Sequence, residues 1–142
     1  MVGPRQLDEQ AIVANVREAF PEIQGIYLFG SYADGTQRPG SDVDLALLFR
    51  PSDQRSTRNL PMHPLSARLH GLAGCNFDLV DLRRASTVLQ KEVVMLGRRI
   101  YCADETAADE FDVGAMSRYQ KLNEERAGIL EQFRKTGRAY DV

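Results

Sequence analysis

Two aspartates one residue apart, Asp42 and Asp44, open the apolar run DVDLALLF (42–49). A strand alternates its side chains, so Asp42, Asp44 and Ala46 share one face while Val43, Leu45 and Leu47 share the other. The two carboxylates then stand about 6–7 Å apart along the strand. Like charges held on one face repel unless something positive lies between them. A hard divalent cation takes oxygen ligands, so the pair suits magnesium. From the pair alone, an exposed strand face with two solvated aspartates is the more common reading.

Upstream, GIYLFG (25–30) ends in Gly30 and is followed by Ser31. Glycine at a strand end permits close backbone approach or an unusual dihedral. A helix beginning at Ser31 would turn free backbone N–H groups toward an anion, and the serine hydroxyl adds a further hydrogen bond. Gly30-Ser31, ten residues, then Asp42-Val43-Asp44 between two apolar runs sets a phosphate cradle beside a magnesium site. Together these suit a nucleoside triphosphate.

The elements that must position these groups follow from the apolar pattern. Residues 8–20 place Ile12, Val13, Val16 and Phe20 on one helical stripe, with Asp8 as cap and Pro21 as stop. GIYLFG and DVDLALLF read as strands. Residues 51–61, polar and proline-punctuated, read as a loop, and Pro64 as the first residue of a helix to about Leu72. NFDLVDL (76–82) is a third strand. Ser86 caps a helix whose apolar side is Val88, Leu89, Val93 and Leu96, ended by Gly97, and RRIYC (98–102) adds an edge strand. From about Glu105 to Thr136 the chain reads helical through Phe111, Met116, Tyr119, Leu122, Leu130 and Phe133, with Gly114 and Gly128 as weak points.

The chain has 142 residues and a formal net charge of -2. One domain is expected at this length, and bulk positive charge for coating nucleic acid is absent. No apolar run reaches the roughly 20 residues of a membrane span, and the N-terminus has no signal pattern, so the expected address is the cytoplasm. Cys75 and Cys102 read as free thiols. His63 and His70 stand in no ligand spacing and are expected at the surface or in packing. Tyr27 and Tyr101 are expected in the core, and Tyr140 near an exposed end. On the last helix Arg118, Lys121, Arg126, Arg134, Lys135 and Arg138 alternate with Asp109, Glu124, Glu125 and Glu131, which describes a solvated face and no direct nucleic-acid track.

Gly30-Ser31, ten residues and Asp42-Val43-Asp44 resemble the signature of the DNA polymerase β-like nucleotidyltransferase superfamily. In size and layout the chain is similar to its minimal branch, and there to the MntA-type antitoxins paired with HEPN ribonuclease toxins. The likeness spans about residues 8–102. It implies an α/β (α+β) nucleotidyltransferase fold, a small mixed sheet with helices mainly on one face. The core would cover 1–104, and a C-terminal helical extension, 105–142, would pack on the core, on a partner, or on both.

The resemblance also implies roles. Gly30 and Ser31 would hold the triphosphate of ATP, and Asp42 and Asp44 would bind one or two magnesium ions. A third carboxylate on a later strand would complete the metal site or take the acceptor's proton. The candidates are Asp78 and Asp81. Asp78 is favoured because it lies inside an apolar run, where an acid is costly without a task or a partner. Relatives often carry an arginine soon after the Gly-Ser turn. Here Ala33-Asp34-Gly35 stands instead, and Arg38 is the nearby cation, a nucleotide-binding candidate. The implied activity is that of an antitoxin acting as a magnesium-dependent protein adenylyltransferase. It would move AMP from ATP to a tyrosine hydroxyl of a HEPN toxin dimer held in a hetero-oligomer. An antitoxin that neutralises by binding alone is the alternative. A nucleotidyltransferase acting on a small molecule or RNA is a further one.

Overall fold

The structure is a computed structural model that describes residues 7–38, 40–51 and 55–136, without the side chains of 55–61 and 136. Arg138, Tyr140 and part of the 51–61 segment (residues 52–54) lie outside the described residues.

Helix α1 (Glu9–Ala19) begins where Asp8 accepts a hydrogen bond from the Ala11 amide, and buries Ile12 and Val16. Strand β1 (Gly25–Phe29), the single turn α2 (Ser31–Asp34) and strand β2 (Val43–Leu48) follow. Helix α3 (Arg55–Ala73) crosses over to strand β3 (Phe77–Asp81), and a 3-10 turn, Leu82–Arg84, leads to helix α4 (Thr87–Leu96). Strand β4 (Arg98–Cys102) and helix α5 (Glu105–Thr136) complete the described residues. Among these residues the sheet has the order β3-β2-β1-β4. Strand β1 is antiparallel to both its neighbours, whereas β3 runs parallel to β2.

Both faces of the central strands are apolar, and both are covered. Ile26, Leu28, Val43, Leu45 and Leu47 pack with Ile12, Val16, Leu65 and Leu69 from α1 and α3. Tyr27, Ala46 and Leu48 pack with Val93 of α4 and Ala108, Phe111 and Ala115 of α5. The expectation of helices mainly on one face is therefore corrected. A strand with leucine on both faces needs cover on both, because each exposed leucine would forfeit about 1.5–3 kcal/mol.

Three further expectations change. Residues 55–61 are helical, so α3 begins before both Pro61 and Pro64. Interior prolines remove helix hydrogen bonds. Burial of Leu65 and Leu69 against the sheet outweighs that local preference. On α4 the buried positions are Gln90 and Val93, while Val88 and Leu96 are exposed. Gln90 goes inside because its amide donates to the carbonyls of Leu82 (3.0 Å) and Arg83 (3.3 Å) and accepts from Arg118 (3.0 Å). A fully hydrogen-bonded buried amide carries little penalty. Finally, α5 is one continuous helix despite Gly114 and Gly128. The Arg118 guanidinium lies over Gly114, 2.9 Å from where a Cβ would stand, on its way to Gln90.

The start of α5 is fastened to the sheet by a polar cluster. The Tyr27 hydroxyl donates to Asp112 (2.7 Å), and Arg99 donates to Asp109 (2.8 Å) and Asp112 (2.6 Å). Burial, first, and the bond to Asp112 push the Tyr27 hydroxyl far above its ordinary range, so it stays a donor. Tyr27→Phe removes the donor from a half-buried carboxylate. Denaturant unfolding should show a loss of about 1–2 kcal/mol with little change in m; unchanged stability would show that the cluster does not fasten α5.

The far half of α5 is different. Beyond Leu122 its described side chains are exposed, among them Ile129, Leu130 and Phe133. No described helix is long and apolar enough to cross a membrane.

Candidate active site

The antiparallel pairing of β1 and β2 sets Phe29 beside Asp44, so the turn leaving β1 stands over the start of β2. Gly30 is that turn. Its φ of 73° and ψ of -154° are reached readily only without a Cβ. A Cβ there would also lie 2.2 Å from Asp44 Oδ2. Gly30 is thus required twice, for its own dihedrals and for the space the carboxylate occupies.

Helix α2 is one turn. Its Ala33 and Asp34 amides bond back to the Gly30 carbonyl, and Gly35 closes it in the left-handed conformation. One turn has almost no macrodipole, so any hold on phosphate rests on local N–H groups and the Ser31 hydroxyl. One oxygen of Asp34 helps end that turn. Its carboxylate accepts from the Thr36 amide (3.0 Å) and hydroxyl (2.5 Å), which holds it below the ordinary carboxylate range. Asp34 is therefore a turn residue. Arg38 lies on the loop from α2 to β2. Its amide donates to Ser41 Oγ (2.8 Å), and its exposed side chain pairs with no carboxylate among the described residues.

Parallel pairing of β2 and β3 brings in the third carboxylate. Asp44 stands beside Asp78, and Leu47 beside Asp81. Neighbours across a sheet point to the same side, so Asp78 shares the Asp44 face and Asp81 takes the opposite one. The burial argument for Asp78 is corrected: Asp78 is exposed, whereas Asp81 is half-buried and pairs with Arg84 at 3.5 Å. Asp78 tolerates its place in an apolar run because β3 is an edge strand whose end opens to water. Register, not burial, puts it next to Asp44.

Electrostatics mark the cluster. Burial, then Asp78, then Asp42 raise the Asp44 carboxyl above its ordinary range. Among the described residues no three Asp, Glu, His or Cys groups close into a ready-made metal cage. The set instead fits a cation whose shell is completed by another anion: three acids on one face, mutually repelling, beside a glycine turn that packs directly on Asp44. Gly97, which the sequence offers only as the end of α4, also packs its Cα face on the Leu28 carbonyl and Phe29 at the edge of this region.

A separate cleft of about 450 Å³, lined by Gln24, Arg83, Gln90, Phe111 and Arg118, lies at the opposite end of the sheet. Its polar side chains brace one another, with Arg83 reaching the Phe49 carbonyl and Gln24. It contains none of the carboxylates above.

Comparison with known proteins identifies the fold's family. Residues 11–106 match the family described as polymerase beta, nucleotidyltransferase. The chain is 39% identical over 128 residues to the protein adenylyltransferase MntA of Shewanella oneidensis, covering 89% of this chain and 88% of that one. A crystal structure of a toxin–antitoxin with AMP-PNP superposes with a TM-score of 0.75 at 37% identity, over 89% of this chain and 98% of the other. The MNT antitoxin in complex with tri-AMPylated Shewanella oneidensis HEPN toxin gives a TM-score of 0.67 at 34% identity, over 87% and 93%. This chain belongs to the polymerase beta nucleotidyltransferase family.

Proposed function

We propose that the protein is an antitoxin that silences a HEPN toxin by transferring AMP from ATP to a hydroxyl of that toxin, a tyrosine by preference, in the cytoplasm. The observation that carries the reading is the placement of Gly30 against Asp44, with Asp78 in register on the same face. A protein that only masked its partner would need none of the three.

In this reading Gly30 and Ser31 receive the phosphates, and Arg38, on the adjoining loop, supplies a cation to them. Asp42 and Asp44 hold magnesium, and Asp78 completes the metal set or accepts the acceptor's proton. Magnesium, when bound, neutralises phosphate oxygens and favours in-line attack at the α-phosphorus. The acceptor oxygen bonds to that phosphorus, the bond to pyrophosphate breaks, and the hydroxyl proton passes to the carboxylate. The distal half of α5, with Ile129, Leu130 and Phe133 exposed, supplies the grip on the partner.

Intact-mass spectrometry of the Shewanella oneidensis HEPN toxin, incubated with this protein, ATP and magnesium, tests the activity. Mass gained in AMP-sized steps, absent with Asp42→Ala/Asp44→Ala, is the expected result. A toxin that binds without gaining mass would overturn it in favour of masking. The assignment of Asp78 is tested separately. Asp78→Asn should lower kcat about 100-fold while AMP-PNP binding changes little, and Asp81→Asn should leave kcat within a few fold. The reverse pattern would move the role to Asp81.

A further inference from the structure

The cleft at the far end of the sheet from the carboxylates brings two guanidinium groups to one ring. Arg83 stands 5.5 Å and Arg118 5.7 Å from the centre of the Phe111 ring. They come from different elements, the 3-10 turn after β3 and helix α5. An aromatic face attracts a guanidinium at such distances, so the ring steadies both. The volume, about 450 Å³, is in the range of small-molecule pockets.

Arg118 is the group that points to a ligand. Arg50, Arg68, Arg84, Arg98 and Arg99 each pair with a carboxylate. Arg118 pairs with none among the described residues, although Glu110 stands at the exposed rim of the same cleft. Its Nε (3.3 Å) and Nη2 (3.0 Å) donate to Gln90 Oε1 instead, and Nη1 makes no hydrogen bond among the described residues. Gln90 is 4% exposed and cannot turn away, because its Nε2 donates to the Leu82 and Arg83 carbonyls. A buried neutral amide thus holds an exposed cation by one edge. The Nη1–Nη2 end stays free, and Gly114, with no Cβ, leaves room for Nη1. That end is a pair of parallel N–H donors, the fork that matches the oxygens of a carboxylate or phosphate. Fastening α4 to α5 would use only the edge already taken.

We propose that this cleft is a second ligand site, which takes a small molecule bearing a phosphate monoester, with Arg118 as its anchor and Arg83 as the second cation. It shares no residue with the carboxylate cluster and does not depend on the adenylyl-transfer reading. Charge selects the headgroup. Two guanidinium groups against one rim carboxylate leave the cleft positive. A phosphate monoester carries about -1.5 to -2 charges at neutral pH, and a carboxylate only one, so the phosphate gains more from two cations. Size selects the rest, since a bare phosphate leaves most of the cleft empty and a mononucleotide fills it. Such a ligand touches the turn after β3 and helices α4 and α5 together, and so ties the base of the long helix to the sheet.

Amide NMR spectra of the full chain, titrated without magnesium with AMP, inorganic phosphate or succinate, test the site by position. AMP should shift the amides of Arg83, Phe111, Gly114 and Arg118 to saturation, and inorganic phosphate should shift the same amides more weakly. Arg118→Lys keeps the charge and a donor for Gln90 but loses the fork, and should weaken AMP at these amides about tenfold. Arg126→Lys, farther along the same helix, should bind as wild type. AMP shifts confined to Gly30 and Ser31, or absent, would overturn the proposal. Binding unchanged in Arg118→Lys would overturn the anchor and leave Arg118 a brace between helices. Succinate binding as tightly as AMP would overturn the phosphate headgroup.

Discussion

Gly30→Ala should cost the protein both stability and activity, and more activity than Gly35→Ala. The dihedrals at Gly30 are strained for any side chain, on the order of 1–3 kcal/mol. The new Cβ would also stand 2.2 Å from Asp44 Oδ2, so the carboxylate must move. A displacement of about 1 Å at a reacting group lowers rate on the order of 100-fold. Gly35 supplies the comparison. It too has positive φ, 79°, but nothing lies within 4 Å of its would-be Cβ. Gly35→Ala should lose about 1–2 kcal/mol and keep its turnover. Denaturant unfolding and AMP-transfer rates check both. Equal activity in the two variants would mean that Asp44 is not where the chemistry happens.

Asp44→Asn should act in opposite directions on stability and turnover. Burial and the charges of Asp78 and Asp42 raise the Asp44 carboxyl above 3.8 in the folded protein. The folded state therefore binds this proton more tightly than the unfolded state does. Stability falls as pH rises from 3.8 through the raised folded value, and the full penalty persists above it. Without magnesium, Asp44→Asn should be more stable than wild type at neutral pH, and this part of the pH slope should vanish. With magnesium and AMP-PNP the order should reverse, because only wild type gains from the cation. Transfer should fall on the order of 1,000-fold, the rate equivalent of losing several kcal/mol of phosphate charge stabilisation. Thermal unfolding from pH 3 to 8, with and without magnesium and AMP-PNP, decides it. A variant less stable than wild type in the absence of metal would refute the repulsion.

The residues that were legible in the sequence share one property: each acts through neighbours close along the chain. Asp8 and Ser86 cap the helices they precede. Gly30-Ser31 and Asp42-Val43-Asp44 are a turn and a strand start separated by a short loop. Spacing and alternation suffice for such groups. What was illegible depends on distant pairing. Asp78 is favoured over Asp81 in the sequence on burial, but what sets it beside Asp44 is a parallel register that α3 sets up, and no period-2 pattern encodes register. Gln90 looks like a surface residue until Arg118, 28 positions on, bonds to it. The prolines of α3 gave a correct local signal that the burial of Leu65 and Leu69 overrode.

The two halves of the carboxylate cluster differ in how the chain must assemble them. Gly30, Ser31, Asp42 and Asp44 belong to a single antiparallel hairpin and meet by closing one short loop. Asp78 arrives only after a long helix has docked and a parallel edge strand has paired. Contacts local in sequence form early and cheaply, and distant ones late. Amides of β3 should therefore exchange with solvent sooner than those of central β1. On the roles proposed above, a molecule caught with β3 open would keep its phosphate turn and its first two acids while lacking the third, holding a nucleotide it could not spend. Fraying of one edge strand would then turn catalysis off without releasing the substrate.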